Sequence, residues 1–122
     1  MAKRILVVDD DVAFRSMLTE ALSDKGYEVN EAGSAEEGVE QVRPGRFDLV
    51  LHDVKLPGMS GIEAIPRLRE RDPHVDIIVM TGHSTRDSAL KAMQEGAYDY
   101  FTKPFSLREM EIVIRRAMEK RR

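Results

Sequence analysis

Four short apolar runs in this chain each stop at a polar residue, and this pattern limits the fold more than any other feature. Ile5-Leu6-Val7-Val8 ends in Asp9-Asp10, and Leu49-Val50-Leu51 ends at Asp53, one residue past His52. Ile77-Ile78-Val79-Met80 ends in Thr81, and Tyr100-Phe101 leads into Lys103-Pro104. Runs of this kind, bounded by polar residues, read as strands buried on both faces. In an open parallel sheet, ligands bind beyond the carboxyl ends of the strands. Parallel strands here bring the carboxylates of Asp9, Asp10 and Asp53, a hydroxyl and an ammonium to one small site. Such a set suits a divalent cation and a phosphoryl group.

Between the runs the period changes to that of a helix, which points to βαβ units and a doubly wound α/β sheet. Strands are expected near 4–9, 27–31, 47–52, 76–80 and 98–102. The second, Tyr27 to Glu31, alternates in polarity and belongs at a sheet edge. Phe14, Met17, Leu18, Ala21 and Leu22 form a core-facing stripe, as do Leu107, Met110, Val113, Ile114 and Ala117 near the end. Capping boxes are expected at Ser34 with Glu37, Ser60 with Glu63, Ser84 with Asp87, and Ser106 with Glu109. Gly26, Asp72-Pro73 and Gly96 are expected to close helices. Without a repeat or linker, residues 1–122 read as one domain.

Composition narrows the function classes. With 42% apolar and 34% charged residues the chain is globular, and a formal charge of −3 gives no electrostatic case for direct nucleic-acid or membrane contact. The longest uninterrupted apolar run has four residues, too short for a membrane span. Zero cysteines excludes disulfides, zinc-thiolate sites and thiol catalysis. A cytoplasmic location is the expectation that fits.

Gathered carboxylates repel one another unless protonated or neutralised, and a hard cation with oxygen ligands does the latter. Magnesium suits few carboxylates plus phosphate oxygens better than calcium does. Asp10 or Asp11 also fits as the cap of the first helix, so one acid can cap while another binds metal. Asp53 stands alone at its strand end and is the candidate nucleophile for an acyl phosphate. Lys103 is placed to neutralise charge on the transferring oxygens. His52 should face away from Asp53 by strand alternation. Lys55 and His83 are candidates to border the site. Tyr100, on residue pattern alone, is an ordinary strand aromatic.

The segments VVDDD, DVKLPGMSG, MTGHS and GAYDYFTKPF, in order and at the right spacing, resemble the receiver domain of bacterial two-component response regulators. The resemblance covers essentially the whole chain. It implies a flavodoxin-like fold of five parallel strands in the order 2-1-3-4-5 with five helices. It implies that Asp9 and Asp10 hold Mg2+ together with Asp53 and the main-chain carbonyl of Lys55, and that Asp53 is phosphorylated. It makes Thr81 the switch hydroxyl, Tyr100 the aromatic switch, Lys103 the conserved-type lysine and Pro104 the site of a cis bond. The partners implied are a sensor histidine kinase, a downstream output domain and a second copy docked through the fourth helix, fifth strand and fifth helix. The closing segments resemble receivers that precede an ATPase and a DNA-binding domain, with Met1 favouring an N-terminal position.

Other readings stay open. A stand-alone regulator would look alike, and so would a phosphorylation-independent interaction module, although the full acidic, hydroxyl and lysine set disfavours the latter. An aspartyl phosphatase commonly carries a second acid two residues past its nucleophile, where this chain has Lys55, so no turnover beyond its own phosphorylation and dephosphorylation is expected. No phosphate-binding glycine loop follows the first strand, which disfavours a nucleotide or flavin module.

Overall fold

Alternation within the apolar runs decides the architecture. The computed structural model describes residues 2–56, 58–82, 86–103 and 105–120. Its elements are β1 (Arg4–Val8), α1 (Val12–Asp24), β2 (Glu28–Ala32), α2 (Ala35–Gln41), β3 (Leu49–Asp53), α3 (Gly61–Arg71), β4 (Asp76–Thr81), α4 (Arg86–Gln94), β5 (Asp99–Thr102) and α5 (Leu107–Lys120). The strands are all parallel, in the order β2-β1-β3-β4-β5. The sheet is doubly wound, as the alternation of elements predicts, and its strand order is the one the resemblance implied.

Leu6, Val8, Val50, Ile77 and Val79 face one apolar layer, with Ala35, Ala64, Ile65, Leu68 and Ala92 of α2, α3 and α4. Ile5, Val7, Leu49, Leu51, Ile78 and Met80 face the other, with Leu18 and Leu22 of α1 and Met110, Ile114 and Ala117 of α5. Period-two side-chain direction therefore sorts each strand between two helical layers. Polar β2 lies at the sheet edge, as its alternation predicts.

Two stripe residues depart from expectation. Met17 is 41% exposed, because it sits about 100° around α1 from Leu18, and the buried stripe centres on Leu18 and Leu22. Leu107 is also exposed. As the first residue of α5 it lies at the open end of the helix, lining a groove with Ala21, Leu22 and Met110.

The capping boxes form unequally. Ser60 and Glu63 make the full reciprocal pair. Ser34 accepts from the Glu37 amide at 3.1 Å, but the Glu37 carboxylate turns to the Gly33 amide at 3.0 Å. Ser106 accepts from the Glu109 amide at 3.3 Å. The box expected at Ser84 lies outside the described residues. Asp11, one of the two acids considered for the role, caps α1 by accepting from the Phe14 amide at 3.1 Å. Pro66, inside α3 and exposed, removes one amide donor that the helix does without while Ala64, Ile65 and Leu68 stay buried.

Gly61 opens α3 directly beneath the end of β3. A Cβ there would overlap the Asp53 carbonyl oxygen and lie 2.8 Å from Val54 Cα, both main-chain atoms with little room to yield. Replacing Gly61 with Ala should lower stability by about 1–3 kcal/mol. Urea unfolding of G61A beside wild type checks this, and an unchanged midpoint would show that α3 can slide away from β3.

Candidate functional site

Parallel pairing brings the strand ends to one edge. Val8 is in register with His52, so the next residues, Asp9 and Asp53, fall side by side. Thr81 is in register with Thr102, and the following amide, from Lys103, donates to the Thr81 carbonyl at 2.7 Å. The Lys103 ammonium then reaches back across the sheet. Its Nζ lies 2.9 Å from Asp9 Oδ2 and 3.5 Å from Asp53 Oδ2. One carboxylate oxygen from each of Asp9, Asp10 and Asp53 falls within 4.8 Å of the other two.

The donors around these acids are fixed by short-range structure. Asp9 Oδ1 accepts from the Asp11 amide at 2.9 Å, and Asp53 Oδ1 accepts from the Lys55 amide at 3.3 Å. Asp9 and Asp53 are buried, whereas Asp10 is open to solvent. Burial, followed by the charge of Asp9, pushes the Asp53 carboxyl above its ordinary range, although Lys103 and the Lys55 amide act against the rise. Burial works to lower the pKa of Lys103, but its hydrogen bond to Asp9 and the charges of Asp53 and Asp9 outweigh that and leave it raised. The ammonium also stands 4.2 Å from the Phe14 ring centroid, where the negative π face favours a cation. Three carboxylates against one ammonium leave excess negative charge on hard oxygen donors. That donor set fits a small divalent cation.

Thr81 ends β4, and Tyr100 lies on the neighbouring strand β5. Thr81 is buried, and its hydroxyl donates to the Phe101 carbonyl at a long 3.4 Å. Tyr100 is 41% exposed on β5, outside the acidic cluster. Lys55 supplies its amide to Asp53, with its side chain exposed. Pro104, with its expected cis bond, and His83 lie outside the described residues. His74 is exposed.

His52 points away from Asp53, as alternation requires, but it is more tightly engaged than the sequence suggested. It is fully buried, and Nδ1 lies 2.8 Å from the Asp53 carbonyl oxygen, to which the Nδ1–H tautomer donates. Nε2 is buried with no hydrogen-bond partner among the described residues. Burial lowers its pKa to about 4, against smaller upward effects of the Asp53 carbonyl and Asp9.

Sequence reasoning passed over two further residues at the site. Phe14 was read as core packing, and its ring does pack 5.9 Å from Phe105 while also lying under Lys103. Arg15 was not singled out, yet its Nη1 donates to the Asp9 main-chain carbonyl at 2.7 Å. The available signal was its spacing, since it lies one helical turn past the Asp11 cap.

The sequence model of the family described as response regulator receiver domain matches residues 5–115. The chain is 42% identical over 117 residues to the DNA-binding transcriptional regulator NtrC of Azospirillum brasilense, covering 96% of this chain and 24% of that protein. It is 38% identical over 119 residues to the response regulator protein FleR of Pseudomonas aeruginosa, covering 97% and 25% respectively. The crystal structure of a CheY-like receiver domain protein from Methanospirillum hungatei JF-1 matches with a TM-score of 0.93 at 32% identity, over 98% of this chain and 96% of that one. The chain thus spans about a quarter of the length of the curated relatives it matches.

Two stability measurements test the electrostatics. A carboxyl whose pKa is raised by folding contributes stability below its unfolded pKa and loses it as pH rises through the folded value. Asp53→Asn should therefore stabilise the protein at pH 7 in magnesium-free buffer. Equal melting temperatures for D53N and wild type without magnesium would contradict this. For His52 the folded state prefers the neutral ring, so stability should fall as pH drops from about 6.5 to about 4. The shift amounts to roughly 3 kcal/mol at most. Denaturant titrations across that window should show a flatter acid limb for His52→Leu than for wild type.

Proposed function

This chain belongs to the response regulator receiver domain family, and on that premise we propose that Asp53 accepts a phosphoryl group from a sensor kinase's phosphohistidine. The observation that carries the reading is the Lys103 ammonium, 2.9 Å from Asp9 and 3.5 Å from Asp53 beside three clustered carboxylates. A bare structural ion pair would need one acid. Asp9, Asp10, Asp53 and the main-chain carbonyl of Lys55 would hold Mg2+, which when bound neutralises charge on the transferring oxygens.

Asp53 forms the new oxygen–phosphorus bond as the nitrogen–phosphorus bond breaks, and the electron pair leaves with the imidazole. Positive charge from Lys103 and a bound cation would favour the ionised form of the carboxyl that attacks. Lys103 donates to a phosphoryl oxygen. Thr81 gives up its long bond to the Phe101 carbonyl for a charge-assisted one to phosphate. Tyr100 then turns inward from its exposed position, remodelling the surface of α4, β5 and α5. The phosphoryl group shifts the equilibrium only by its differential affinity for the two states. The domain works on its own acyl phosphate rather than on external substrates, consistent with Lys55 standing where a second acid would be needed.

The output is control of transcription through a further domain, supported by the names of the relatives of which this chain covers a quarter. A cytoplasmic location follows from that role, and among the described residues no helix is long and apolar enough to cross a membrane. Exposed Leu90 and Met93 of α4, Tyr100 of β5 and Ile112 of α5 support pairing of two copies through that face. Sedimentation should then show a dimer on addition of beryllofluoride and magnesium, and a monomer under both conditions would remove the pairing.

Intact mass after incubation with acetyl phosphate is the direct test. A magnesium-dependent gain of one phosphoryl group, absent in Asp53→Asn and strongly reduced in Lys103→Ala, is expected. A folded wild-type domain that gains no mass and gives no NMR response to beryllofluoride would favour a phosphorylation-independent interaction module.

A further inference from the structure

The geometry points to Arg15 as a positioning residue for the cation site, fixing the main chain that carries Asp9. This rests on the proposed role of Asp9 as a cation ligand. Arg15 Nη1 donates to the Asp9 carbonyl at 2.7 Å, while its Nε lies 2.8 Å from Glu31 Oε1. Glu31 sits on β2, and its own main-chain carbonyl accepts from Gln41 of α2 at 2.9 Å. The guanidinium is thus held between the edge strand and the end of β1, with its side chain only 17% exposed.

Asp9 is tied at each of its other polar groups as well. Its amide donates to the Ala32 carbonyl at 3.1 Å, and its carboxylate accepts from the Asp11 amide and from Lys103. Arg15 closes the last of these, the carbonyl. A planar guanidinium held at two points in this way restricts rotation of the Asp9 peptide and hence the aim of its carboxylate. Room for it is built into the chain. A Cβ on Gly33 would come within 3.3 Å of Arg15 Nη1 and 3.6 Å of Glu37 Oε2, so a side chain there would press on the guanidinium.

The sign of the effect separates positioning from simple charge. Arg15 is a cation near an acidic cluster, so by Coulomb's law alone its removal would tighten binding of another cation. If its work is to aim Asp9, removal weakens binding instead. The Arg4–Glu28 ion pair supplies a control, since it joins the same two strands at their opposite ends.

The experiment is a magnesium chloride titration followed by amide NMR shifts, with melting temperatures taken alongside. Asp9→Asn should abolish saturable binding. Arg15→Ala should weaken it roughly 10-fold, as loss of an outer-shell partner typically does. Arg15→Lys should recover part of the loss, Gly33→Ala should weaken binding by a smaller factor, and Arg4→Ala should leave it unchanged. At saturating magnesium, the rate of phosphorylation of R15A by acetyl phosphate should approach that of wild type. Unchanged or tighter binding in R15A, or an equal loss in R4A, would overturn the assignment. Absence of saturable binding in wild type would instead remove the cation reading of the site, and the inference with it.

Discussion

One ammonium between two buried carboxylates organises the site. Two like charges about 4 Å apart repel by roughly 4 kcal/mol at an effective dielectric of 20, and the parallel sheet forces Asp9 and Asp53 into this proximity. Lys103 answers that repulsion from a fixed anchor, because its amide is bonded to the Thr81 carbonyl at 2.7 Å. Only its side chain can adjust. The Phe14 ring beneath it adds attraction without adding a competing charge. The rise in the Asp53 pKa shows that the compensation is incomplete, with burial and Asp9 outweighing Lys103. An incompletely neutralised site of this kind is receptive to further positive charge.

Much of this was legible in the chain, for a physical reason. Residues at the carboxyl ends of parallel strands share an edge whatever the details of packing, so Asp9, Asp53, Thr81 and Lys103 could be placed together from four run endings. The two layers followed from alternation inside the same runs. Contacts that depend on helix rotation were less accessible. Met17 and Leu107 fit an apolar stripe but are exposed, because spacing does not reveal where a stripe is centred or how far the first turn of a helix is covered. Phe14 satisfied its apolar pattern so well that its second contact was hidden. Arg15 reads as a surface cation until the approach of α1 to β1 is known.

His52 was partly legible. Alternation gave its direction, but not the bond from Nδ1 to the carbonyl of its neighbour nor the lack of a partner at Nε2. Glu37 taught the same lesson on a smaller scale, since the capping pattern was right and the carboxylate chose the Gly33 amide one residue away. In both, residue type and position were sufficient to say where the group points. The identity of its partner depended on which neighbouring backbone group the fold brought within reach.

The opposed directions of His52 and Asp53 have a mechanical consequence. The Asp53 side chain belongs to the face covered by α1 and α5, while His52 belongs to the face covered by α2, α3 and α4. At this point the two halves of the molecule are joined through a peptide unit whose carbonyl is clasped by the imidazole and abutted by Gly61. With no Cβ at Gly61, the main chain of α3 lies directly against that peptide unit, so a tilt of its plane would press on the start of α3.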